Sequence, residues 1–113
     1  MKLSQVNNYR EIQRTLLDKK GAVGLKIARN LRMIDDELIE YDKARLEIFR
    51  KYGTEENGIF KIERDSENYS SFLEEIEPLD NQEIELNFRK LTDEEIEKSD
   101  LTAQQILLLE FME

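Results

Sequence analysis

The chain has 113 residues, 38% of them charged and 39% apolar, with a formal net charge of −9 and neither cysteine nor histidine. That length suits one domain, residues 1–113, with a single modest core, and the apolar share is too high for a disordered chain. The composition excludes disulfides, thiolate metal centres, a thiol nucleophile and the serine–histidine dyad, and no apolar run nears the roughly 20 residues that span a bilayer.

The first predicted elements lie before Lys20. Lys2 to Val6 reads as a short strand or a disordered start, and Asn7 or Asn8 as a helix cap. Tyr9, Ile12 and Leu16 then share one helical face, and that helix closes near Lys20, with Gly21 in the left-handed position beyond it. Gly21 to Gly24 is a tight connector, which predicts a helical hairpin.

The dominant element is a long helix over Leu25 to Tyr52. Ile27, Leu31, Ile34, Leu38, Tyr41, Ile48 and Tyr52 recur at steps that place them on one face, and Ala28, Ile39, Leu46 and Phe49 widen the stripe. Arg32 with Asp36, Lys43 with Glu47 and Glu47 with Lys51 are expected to pair along the solvated face. Gly53 closes the helix.

Beyond it, Asn57-Gly58 is a turn signal and Ile59–Glu63 an edge strand. Asn68 or Ser70 starts a helix with Phe72, Leu73 and Ile76 inward, and Pro78 is expected to end it. Ile84, Leu86 and Phe88 alternate with polar residues, which predicts that Gln82–Phe88 forms a small antiparallel sheet with Ile59–Glu63. Two capping boxes follow, Thr92 with Glu95 and Thr102 with Gln105, each with a hydrophobic staple. The run Ile106 to Met112 is too apolar to lie exposed and should dock on the long helix. The fold class expected is therefore α+β and mainly helical. Its predicted core comprises Ile12, Leu16, Ile27, Leu31, Ile34, Leu38, Ile48, Phe72, Ile76, Leu86, Ile106, Leu109 and Phe111.

Charge is polarised along the chain. Residues 1–52 hold 12 basic and 8 acidic side chains, a balance of +4, and the remainder holds 5 and 18, a balance of −13. An acidic second half disfavours nucleic acid there, because phosphates would meet carboxylates. Glu74, Glu75, Glu83 and Glu85 are its candidate binding surface, one that would mimic nucleic acid in a partner's basic groove.

The alternative is a nucleic-acid contact made by Lys19, Lys20, Gly21, Gly24, Lys26 and Arg29. There the GxxGxxI spacing is similar to the backbone-gripping loop of KH domains, which also requires flanking strands. Asp35, Asp36, Glu37 and Glu40 lack the histidine that completes a helical carboxylate metal motif, so a solvated face is the expectation for them. No cofactor, metal or catalytic residue is expected. Tyr41 and Tyr52 follow the apolar stripe and are read as core.

Several stretches resemble an uncharacterised family of small phage and prophage proteins of Gram-positive bacteria. They are Lys26-Ile27-Ala28-Arg29-Asn30, Ala44-Arg45-Leu46 with Lys51-Tyr52-Gly53, the Asn-Gly turn, Glu83-Ile84-Glu85, and Leu101-Thr102-Ala103 leading to Phe111-Met112. Ala103 stands where that family often has proline, and either residue suits a first helical position. The resemblance implies a phage or prophage origin, and it brings no activity or functional residue with it. The function expected is a non-enzymatic accessory protein that binds a host or phage protein, as a virion-assembly component or an inhibitor of a host system. Its expected place is the host cytoplasm or the virion, with self-association through the long helix open and no membrane contact.

Overall fold

The computed structural model describes residues 1–113. Helix α1 (Leu3–Arg14) turns back at Thr15–Asp18 into α2 (Gly21–Glu37), and α3 (Ile39–Tyr52) follows after one residue. From Gly21 to Tyr52 a rise of 1.5 Å per residue gives about 48 Å, close to the longest dimension of the molecule, 52 Å. Strands β1 (Thr54–Glu56) and β2 (Ile59–Lys61) form one antiparallel hairpin. Helices α4 (Tyr69–Asp80), α5 (Asp93–Glu97) and α6 (Ala103–Leu108) follow, and a 3-10 turn (Glu110–Met112) ends the chain. The architecture is α+β and mainly helical. No helix is long and apolar enough to cross a membrane.

Helix α1 starts earlier and ends earlier than its apolar spacing suggests. Leu3 and Val6 are buried on its inner face, so Asn7 and Asn8 are helical rather than capping residues, and Lys19 and Lys20 lie beyond its end. Gly21 does take a positive φ of 67°, but as the first residue of α2.

The predicted long helix is interrupted at Leu38, whose φ and ψ are −93° and 7°. Two backbone bonds bracket the break, Leu38 N–H to the Ile34 carbonyl at 2.9 Å and Asp42 N–H to the Leu38 carbonyl at 2.8 Å. Electrostatics favours an interruption here. Asp35, Asp36 and Glu37 put negative charge on the last turn of α2, the wrong end of a helix dipole, whereas Glu40 and Asp42 suit the first turn of α3. A side chain from α1 then fixes the junction. The Arg10 guanidinium donates to both Asp42 carboxylate oxygens at 2.8 Å and to Asn7 Oδ1 at 2.6 Å, and stands 3.7 Å from Asp35. One arginine thus grips the last turn of α2 and the first turn of α3 together.

The core has two apolar clusters. The first joins Leu16, Val23, Ile27, Leu91, Leu109 and Met112, so the C-terminal segment docks where α1 meets the long helix. The second joins Leu3, Val6, Ile34, Leu38 and Tyr41. Tyr9 stacks on Phe111 with ring centroids 4.2 Å apart, and Phe88 meets both rings edge-on, which ties the clusters together. Tyr41 is buried as expected and donates its hydroxyl to Asp80 at 2.6 Å. Burial first, then that bond, raises the Tyr41 pKa and keeps the phenol protonated.

Four further expectations are corrected. Gln82–Phe88 is extended and alternates in burial, but it pairs with the chain start instead of β2. Lys2 bridges Glu83, and Met1 and Ile84 exchange backbone bonds at 2.8 Å. Pro78 lies inside α4, where its ring removes only the bond to the Glu74 carbonyl. The helix continues because Leu79 packs on the second cluster and Asp80 holds Tyr41. Leu107 and Leu108 are 66% and 42% exposed, since the tail turns Leu109, Met112 and part of Phe111 inward instead. Finally, the expected pairs along the long helix do not form: Lys43 meets Glu40 at 3.7 Å, and Lys51 reaches Glu75 on α4 at 3.1 Å.

Both capping boxes are formed. The Thr92 and Thr102 hydroxyls accept the third-residue N–H at 3.2 Å, and Glu95 and Gln105 return the bond. Glu95 also carries a tertiary tie, because the Lys26 ammonium lies 2.6 Å from its carboxylate. Lys26, then the Thr92 backbone N–H, holds the Glu95 carboxyl below its ordinary value of 4.5. The unfolded chain therefore binds this proton more tightly. The contribution is complete above the unfolded value and is lost as pH falls through it toward the folded value. Urea midpoints measured from about pH 6 to about pH 3 should fall more for the wild type than for Glu95→Gln, which keeps the box but carries no charge. Equal falls would contradict the tie.

Candidate functional site

The Asn57-Gly58 turn, with φ of 52° and 79°, closes the hairpin in the register Thr54↔Lys61, Glu55↔Phe60 and Glu56↔Ile59. The hairpin then folds back on α3. Gly53 permits that approach, because a Cβ there would stand 2.7 Å from the Phe49 carbonyl oxygen and 2.9 Å from that of Lys61. Between α3 and β2 an open groove of about 490 Å³ remains, with Leu46 and Phe49 on one wall and Ile59 and Phe60 on the other. Leu46 is 41% exposed and Ile59 60%.

Cations border this apolar floor. The Arg45 guanidinium sits 5.2 Å from the Phe49 ring centre, and that of Arg50 sits 6.0 Å from Phe60. Neither takes part in an ion pair. The sheet contains only β1 and β2, so the outer edge of each strand is unpaired. An apolar floor, two stacked arginines and a free backbone edge together suit a short segment that mixes apolar and acidic side chains.

The acidic set is not one free surface. Glu75 is bound by Lys51, and Glu83 lies 3.0 Å from the amino terminus. The Tyr52 hydroxyl, then Lys51, holds the Glu75 carboxyl below its ordinary range. Glu74 and Glu85 are exposed and make no ion pair.

The basic set is dispersed in a similar way. Lys19 is largely covered and 3.6 Å from Asp100, and Lys26 is held by Glu95 and the Lys90 carbonyl. Gly24 has a packing reason, since a Cβ there would collide with the Lys19 carbonyl. Lys20 and Gly21 border a depression with Glu94 and Glu95 across it, where an incoming phosphate would meet carboxylates. No strand flanks α1 and α2, so the arrangement departs from a KH domain. Arg29 alone of this set faces a different cleft, along α2.

Sequence reasoning placed Leu46 and Phe49 on the widened apolar stripe of the long helix, outside the predicted core, and left Arg45 and Arg50 without a role. The extra width of the α3 stripe was the available signal. Comparison with protein-family models, with curated proteins and with solved structures gives no match.

Proposed function

We propose that this chain is a non-enzymatic phage or prophage accessory protein that works by binding another protein. The origin rests on the sequence resemblance. The binding mode rests on one observation, the solvent-open groove in which Leu46 and Ile59 stay exposed beside arginines that form no ion pair, the Asp42 carboxylate in its lining being held by Arg10. Its occupant is a segment of a host or virion protein that inserts apolar side chains and places carboxylates against Arg45 and Arg50.

Affinity capture from infected or lysogenic cells, read by mass spectrometry, tests this directly. The wild type and a Glu74→Lys/Glu85→Lys variant should retain the same protein. A Leu46→Lys/Ile59→Lys variant should lose it, and both of its positions are exposed enough to leave the fold intact. Capture indifferent to the groove substitutions but abolished by the glutamate reversals would replace this reading with acidic mimicry.

A further inference from the structure

A second cleft, of about 890 Å³, runs along α2 against the extended segment before Leu91. Arg29 and Arg32 line it from the helix, and Arg89 and Asn87 line it from the segment. In a chain of net charge −9, none of these three arginines makes an ion pair, although Asp36 and Glu37 lie farther along the same cleft. The Arg89 backbone is held in place. Asn30, 1% exposed, accepts the Arg89 N–H at 2.8 Å and donates to the Arg89 carbonyl at 3.2 Å.

We infer that this cleft binds a small phosphate-bearing ligand whose hydroxyl or amino groups face Asp36 and Glu37. Guanidinium groups present planar forks that match phosphate oxygens, and three unneutralised ones exceed the two carboxylates nearby. Seven residues separate Arg29 from Asp36, about 10 Å along the helix, so the cationic and acidic ends are a small molecule's length apart. Met33 is the one apolar residue in the lining, and no aromatic ring is present on which a nucleobase could stack. A polynucleotide would also run its next phosphates into the carboxylate end. The proposal is independent of the α3–hairpin groove.

Backbone amide NMR titrations at constant salt, with glucose 6-phosphate, inorganic phosphate, glucose and a short single-stranded oligonucleotide as probes, test it. Glucose 6-phosphate should give saturable shifts at Asn30, Asn87 and Arg89. Its affinity should exceed that of inorganic phosphate, glucose alone should give none, and Arg29→Gln or Arg89→Gln should weaken binding about tenfold or more. Asp36→Asn/Glu37→Gln should remove the advantage over inorganic phosphate. No saturable shift up to about 10 mM, affinity unchanged in the arginine variants, or tighter binding of the oligonucleotide at these residues would overturn the proposal.

Discussion

Replacing Leu38 by alanine is expected to lower the unfolding free energy by about 2–5 kcal/mol. Leu38 is fully buried among Leu3, Val6, Ile34 and Tyr41. It occupies the interruption between α2 and α3, where removing its side chain leaves a cavity that two helices held by Arg10 cannot close. The lost contacts and the cavity therefore add. Urea unfolding followed by circular dichroism measures the effect. A loss below about 0.5 kcal/mol, the scale of surface substitutions, would contradict the burial of Leu38.

The second large effect is an asymmetry at the Arg10 clamp. The Arg10 side chain is 8% exposed, whereas Asp35 and Asp42 are each 47% exposed. Asp42→Ala removes both charge-assisted bonds made at 2.8 Å and leaves a covered guanidinium with Asn7 and a more distant Asp35. Stranding a desolvated cation in this way should cost about 3 kcal/mol. Arg10→Met leaves two half-exposed carboxylates that water can solvate, and its apolar stem fills part of the space. It should cost about 1–2 kcal/mol. Denaturant titrations of the two variants, compared at one salt concentration, check the order. A greater loss from Arg10→Met would show that the clamp's worth lies in packing rather than charge.

The features legible in the sequence are those with local causes. The capping boxes at Thr92 and Thr102 need only neighbours three residues away, and the Asn57-Gly58 turn needs only two backbone conformations. The alternation of Ile84, Leu86 and Phe88 gave the buried face of that segment correctly but could not name its partner. Strand pairing is non-local: a strand could be read at Lys2, but nothing in the chain named Glu83 as its partner. The break at Leu38 left the apolar period intact, since the bonds on either side of it persist. Its one local sign was the acid run at Asp35 to Glu37.

The binding surfaces were least legible, because charge on a sequence does not reveal its tertiary neighbours. Lys19 and Lys26 looked free and are held by Asp100 and Glu95. Arg32 looked paired with Asp36 and is not, and Arg10, which the sequence singled out in no way, is the buried clamp. In the groove, Leu46 fits the apolar stripe by spacing, yet α4 covers only part of that breadth through Phe72 against Phe49. What remained uncovered became the candidate site.

Hydrogen exchange on the protein alone and bound to its captured partner gives the most direct test of the groove as the binding surface. Partner binding should slow exchange in α3 around Leu46 and Phe49 and along β2 from Ile59 to Lys61, with little change from Glu74 to Glu85. Protection confined to residues 74–85, with α3 and the hairpin unaltered, would contradict it.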